Sequence, residues 1–202
     1  MSSRSIKSRY ALLGMLSIRP MSGYDIKKLI EASISNFWSE SYGQIYPTLK
    51  QLVAEKLVTR TVKKQTGKPD RHVYALTPAG RRRLREWLAQ APTPSVARNE
   101  LLLKLFFGEE IPLDASLAHI AAFRALHTEL IARYRAIEHE IKTEHSDNAN
   151  APFWLITVRY GRAESEALVG WCDDAAAILA SICARRNVAS CKTPRRQRPR
   201  NA

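Results

Sequence analysis

The chain has 202 residues and a formal net charge of +13, long enough for one large domain or two small ones. No stretch reads as the ~20 apolar residues of a membrane span, and the opening MSSRSIKSRY lacks the apolar run of a signal peptide. The three cysteines, Cys172, Cys183 and Cys191, are an odd number without a CxxC pair; they exclude a complete intrachain disulfide framework and fit a reducing cytoplasm.

The charge is unevenly placed. Residues 1–91 hold 17 Lys+Arg against 6 Asp+Glu, residues 92–191 hold 10 against 13, and residues 192–202 hold 5 against none. A polyanion partner for the first half follows, with nucleic acid ahead of an anionic membrane surface.

In chain order, SRYALLGMLSI reads as a short buried helix closed by Arg19-Pro20, since the residue before proline leaves the helical region. Ser22 then caps GYDIKKLIEA, with Tyr24, Ile26, Leu29 and Ile30 as its core face. A third helix runs through YGQIYPTLKQLVAEKL, with an apolar stripe of Leu49, Leu52, Val53 and Leu57. Two β-type runs, LVTRTVKK and RHVYAL, flank the turn-forming QTGKPD. Thr77-Pro78 starts a fourth helix, a capping hydroxyl followed by proline at the first helical position.

Three helices, a hairpin and a helix are the plan of a winged helix-turn-helix. In that plan the head of the third helix enters the DNA major groove and the hairpin lies along the phosphates. Gln44 is then placed to pair with adenine, and Thr48 to reach a base edge or a thymine methyl. Tyr46 and Lys50 are better placed for phosphates, as are Lys63, Lys64, Lys68 and Arg71 on the wing, and Tyr42 and Gln51 complete the helix's polar surface. Arg4 and Lys7, with Arg9, form a basic N-terminal arm suited to the same duplex.

These segments also resemble a family, the PadR-type transcriptional regulators. The resemblance rests on YALLGMLSIRPMSGYDIKKLI, FWSESYGQIYPTLKQLVAEKLVTR and GKPDRHVYALTPAGRRRLREWL, covering about residues 6–90. It continues more loosely through NELLLKLFFGEEIPLD and WLITVRYGRAESEALVGW. It implies a dimeric repressor that leaves a palindromic operator when a small effector binds; phenolic acids serve some relatives.

Beyond the linker APTPS at 91–95, a short helix is expected over 96–107, then a turn from Gly108 to Pro112. Asp114 is expected to cap a long helix. Its apolar positions Leu117, Ile120, Phe123, Leu126, Leu130, Tyr134, Ile137 and Ile141 recur every 3.4 residues on average, near the 3.5 of a supercoiled seam. HSDNANAP ends it, and Leu168, Trp171, Ala175, Ile178 and Ile182 stripe a second long helix. The fold class is therefore mainly α: a winged helix-turn-helix at 1–91, an α-helical hairpin for dimerisation at 92–191 and a basic, disordered tail at 192–202. The same seam would serve a hairpin that folds only on itself.

No catalytic constellation, metal site or cofactor motif is read. His119, His127, His139 and His145 are spaced by 8, 12 and 6, not as the i, i+4 pair of a helical metal site. GxGxxG, GxSxG and GKS/T strings are absent from the sequence. Phe37, Trp38, Trp154, Tyr160 and Trp171 are the aromatic candidates to line an effector pocket, with core packing as the alternative for each. A basic winged-helix module for protein or RNA, without operator specificity, is the rival reading.

Overall fold

The computed structural model describes residues 3–35, 37–64, 71–93 and 98–191, with side chains from 7 to 185 within those stretches. The chain divides into two compact units, Met1–Ser95 and Val96–Ala202.

The first unit holds α1 (Ser3–Ile18), α2 (Gly23–Ser33), α3 (Tyr42–Ala54), β1 (Val58–Lys63), β2 (Arg71–Leu76) and α4 (Pro78–Leu88). Residues 3–7 are helical, so the expected N-terminal arm is the first turn of α1. The core combines Leu12, Leu13 and Leu16 of α1, Ile26 and Ile30 of α2, and Ile45, Leu49 and Leu52 of α3. Val58, Tyr74 and Leu84 close it. Tyr24, assigned above to that core, is turned outward instead: Gly23, Ile26 and Ile30 are the buried positions of α2, and Leu29 packs against them.

The strands pair antiparallel, Val58 opposite Leu76 through Lys63 opposite Arg71. Met21 adds a rung: it exchanges backbone hydrogen bonds of 3.0 and 2.8 Å with Tyr74, tying the wing to the entry of α2. The tip at 65–70, with Lys68, lies outside the described residues.

The turn out of α3 explains YALTPAG. α3 ends before Leu57, and Lys56 at φ 60 lets Leu57 N–H reach back to Leu52 O at 3.0 Å, a Schellman closure made without glycine. Thr77 Oγ1 donates to Lys56 O at 2.9 Å and accepts from Gly80 N at 3.0 Å, capping α4 and fixing it to that turn. A Cβ at Gly80 would lie 2.1 Å from Leu57 O. Tyr10 and Trp87 stack with centroids 4.4 Å apart and hold α4 on α1.

The second unit holds α5 (Glu100–Phe106), a 3₁₀ turn at Gly108–Glu110, α6 (Leu113–Glu144) and α7 (Ala151–Cys191). α5 starts later than expected, capped by Asn99, whose side chain accepts from Leu102 N at 3.1 Å. Asp114 does not cap α6: the N-cap position is Pro112, and Asp114 sits in the first turn, where the helix dipole favours it. α6 and α7 form the antiparallel hairpin. Its register places Arg124 against Asp173 at 2.7 Å and His127 against Ser165 at 3.1 Å. Glu138 is its polar anchor, meeting Lys142, Arg159 and Arg162 at 2.8, 3.1 and 2.8 Å.

Of the seam residues, Ile120, Tyr134 and Ile141 are buried, and Leu117, Phe123, Leu130, Ile137, Leu168, Trp171, Ala175 and Ile182 are partly buried. Leu126 and Ile178 are 51% and 61% exposed and face away from the intrachain seam. One expectation fails on α7: Ala151–Arg185 contains an 18-residue window apolar enough, by length and composition, to cross a membrane, and only 6% of it is buried.

Gly80→Ala forces a Cβ into a backbone carbonyl that cannot yield, so urea unfolding should show a loss of about 3 kcal/mol or more. Wild-type stability in this variant would refute the packing described for the YALTPAG turn.

Candidate nucleic-acid interface

α3 is a helix with two incompatible faces. Ile45, Thr48, Leu49 and Leu52, at i, i+3, i+4 and i+7, are buried. Tyr42, Gly43, Tyr46, Pro47, Lys50 and Gln51 are exposed. Thr48 is thus corrected: at 8% exposure it belongs to the packing face, with no access to a base edge. Its place between Ile45 and Leu49 on the stripe was the available signal, masked by its polar type.

Gln44 is only partly exposed, and its carboxamide oxygen is occupied. The backbone N–H and the hydroxyl of Ser41 both donate to Gln44 Oε1, each at 3.2 Å, so Gln44 closes the start of α3. Only its amide N–H groups remain for bidentate adenine pairing, which is half of what that contact needs. The centre of the outward face is therefore Tyr42, Tyr46, Lys50 and Gln51. Pro47 has no N–H to give the Gly43 carbonyl, which leaves an acceptor on that face beside a residue without a side chain.

Tyr46 is 48% exposed and its ring rests on Gly23; a Cβ there would come within 2.7 Å of the ring. Tyr42 and Tyr46 lie near-parallel, centroids 6.2 Å apart.

On the wing, Lys63 and Lys64 are exposed. Arg71 is not a free phosphate contact: its guanidinium is ion-paired with Asp25 at the start of α2. Asp25 carries a second duty. Ser22 N–H and Oγ donate to Asp25 Oδ2 at 2.9 and 2.7 Å, and Asp25 N–H donates to Ser22 Oγ at 3.2 Å, a capping box. Partial burial opposes its ionisation, but the Ser22 hydrogen bonds and Arg71 outweigh it and lower its pKa to about 2. The Ser22-x-x-Asp25 spacing announced the box; nothing local announced Arg71. Lys7 is partly buried in α1, Arg9 pairs with Glu55, and the Arg4 side chain lies outside the described residues.

The aromatic candidates fall in both units, Phe37 and Trp38 in the first and Trp154, Tyr160 and Trp171 in the second. Phe37 is exposed, and Trp38 Nε1–H donates to the buried Glu40 at 3.0 Å. On α7, Trp154 packs in the hairpin core edge-on to His145, Trp171 lies edge-on to Phe123, and Tyr160 is exposed. Trp154 and Trp171 stand 17 residues apart on one helix, about 25 Å, too far to line one small-molecule pocket within a chain.

A basic three-helix unit with a hairpin wing and an outward polar third helix, followed by a long helical hairpin, defines a winged-helix protein. The family described as transcriptional regulator PadR-like family matches residues 12–86, and virulence activator alpha C-term matches residues 97–180. Residues 12–86 thus match the PadR-like transcriptional regulators. The chain is 37% identical over 100 residues to the negative transcriptional regulator PadR of Bacillus subtilis, a match covering 49% of this chain and 55% of that protein. It is 28% identical over 182 residues to the probable transcriptional regulator Rv1176c of Mycobacterium tuberculosis, covering 84% and 96%. The crystal structure of Bacillus subtilis PadR in complex with operator DNA superposes with TM-score 0.75 at 22% identity, covering 88% and 99%. That protein has also been solved with p-coumaric acid (TM-score 0.67, 22% identity, covering 89% and 99%).

Two variants separate packing from surface. Thr48→Ala should lower stability by about 1 kcal/mol without changing any preference for DNA sequence, whereas Lys50→Ala should leave the melting temperature in place. Asp25→Asn removes the box carboxylate and the wing anchor, at about 1–2 kcal/mol. Because the folded pKa of Asp25 lies below its ordinary 3.8, its contribution is full above pH ~4 and fades as pH falls toward 2. A pH series of urea midpoints should show a larger loss in wild type than in Asp25→Asn, the difference being the Asp25 contribution.

Proposed function

We propose that the protein is a dimeric repressor that binds a palindromic DNA operator in the cytoplasm and releases it when a small aromatic effector binds. The observation that carries this reading is the outward face of α3. Tyr42, Tyr46, Lys50 and Gln51 stand exposed on a unit with a large positive excess, while an apolar stripe holds the opposite face in the core.

In this reading the head of α3 enters the major groove, and Lys50 and Gln51 meet base edges or backbone there. Lys63, Lys64 and Lys68 bring the wing to the phosphates. Arg71 stays with Asp25 and holds the wing in place. The operator-bound relative supports the DNA partner, and the p-coumaric acid complex supports an aromatic acid as effector class.

Dimerisation is supported by the apolar side chains the second unit leaves exposed, among them Leu103, Phe106, Leu126 and Ile178. Burying such surface releases roughly 25 cal/mol per Å², and a second copy of the hairpin is the partner of matching chemistry. Two copies place two α3 helices in successive major grooves, about one helical turn or a multiple apart.

Fluorescence anisotropy with duplexes from the DNA flanking the gene tests the reading. An inverted repeat should be preferred over random duplex by ~10³-fold or more. Lys64→Ala should weaken all sequences alike, because it meets phosphate. Equal binding of repeat and random duplex would leave the rival, a basic module without operator specificity.

A further inference from the structure

One exposed cluster beside α3 has no role in the reading above. Tyr24 and Lys28 lie one turn apart on the outward side of α2, and Lys28 Nζ sits 4.8 Å from the centre of the Tyr24 ring. That is cation–π range, and both side chains are exposed. The neighbouring Lys27 is paired with Glu31 at 2.9 Å; Lys28 makes no ion pair with a carboxylate among the described residues. Asp25, on the same helix, is already engaged by Ser22 and Arg71. The Tyr24 hydroxyl, by hydrogen bonding and charge, raises the Lys28 pKa, and Tyr42 acts in the same direction from α3.

Tyr46, parallel to Tyr42, covers Gly23 in the first turn of α2. Three phenols and one ammonium therefore form a continuous exposed patch where α2 meets the head of α3. Their hydroxyls and ammonium are hydrogen-bond donors, and their rings offer flat apolar surface. An anionic oxygen group carried on a sugar fits that combination: the backbone phosphate of a duplex.

We propose that Tyr24, Lys28, Tyr42 and Tyr46 form a phosphate clamp that grips one strand of the duplex next to the groove α3 enters. The proposal rests on the DNA-binding reading and adds to it a second helix and a positioning residue. Lys28 supplies the charge. Tyr24 acts through Lys28, its ring holding the ammonium on the DNA-facing side. Tyr42 and Tyr46 donate their hydroxyls to the same stretch of backbone. A contact of this kind carries no base information, so its loss weakens every sequence in proportion.

The test measures anisotropy with a random-sequence duplex of about 24 base pairs over a salt series, for wild type, Lys28→Ala, Lys28→Arg, Tyr24→Ala, Tyr24→Phe and the double alanine variant. Lys28→Ala should weaken binding about three- to tenfold near 0.1 M salt and reduce the salt slope by about one. Lys28→Arg should restore the slope. Tyr24→Ala should shift affinity in the same direction while Tyr24→Phe, which keeps the ring, stays near wild type. The double alanine variant should bind no worse than Lys28→Ala alone, which a purely structural role for Tyr24 would not produce. A steep wild-type slope left unchanged by Lys28→Ala overturns the clamp alone. A flat wild-type slope overturns the DNA reading and the clamp with it.

Discussion

The packing of one face of α3 decides what its other face can offer. Ile45, Thr48, Leu49 and Leu52 fill the space between α1 and α2, and a helix pinned on that stripe has no rotational freedom to hide Tyr42, Tyr46, Lys50 or Gln51. Four polar or aromatic groups on an exposed helix face lose conformational entropy whenever they bind something. Holding their backbone fixed in advance removes much of that cost, and the buried stripe supplies the rigidity.

The wing is fastened by the same logic at three places. Tyr74 exchanges hydrogen bonds with Met21, Arg71 meets Asp25, and Thr77 bonds back to the turn that ends α3. Each joins the hairpin to a different part of the helical triad, so α2, α3 and the strands behave as one body. Asp25 is the most economical of these joints, since one carboxylate caps α2 and anchors the wing. This geometry suits recognition of a duplex, where a misplaced phosphate contact shifts the register of every base contact.

Much of this fold was legible before any coordinates. Ser22 and Thr77-Pro78 announced helix starts because capping chemistry is local, and the hairpin announced itself through alternation around a Gly/Pro turn. The 3.4-residue spacing of α6 likewise pointed to the helical hairpin. The site was less legible, for reasons that are physical. Thr48 was assigned outward by its residue type, whereas position on the helix decided its burial. Gln44 was assigned to bases, but its carbonyl closes a cap three residues back. Arg71 was counted as a free cation because its partner, Asp25, stands 46 residues away in the chain. Leu126 and Ile178 fit the periodicity of the seam yet face outward, since a helix of 3.6 residues per turn drifts across a 3.5-residue repeat.

The central claim, that the outward face of α3 sits in a major groove, is most directly measured by dimethyl sulfate protection on an operator duplex, because that reagent methylates guanine N7 on the major-groove edge. The account predicts guanines protected in two tracts whose centres lie about 10 base pairs, or a multiple of that, apart. Full retention of the complex with every guanine N7 still reactive, or with protection confined to minor-groove adenine N3, would contradict it.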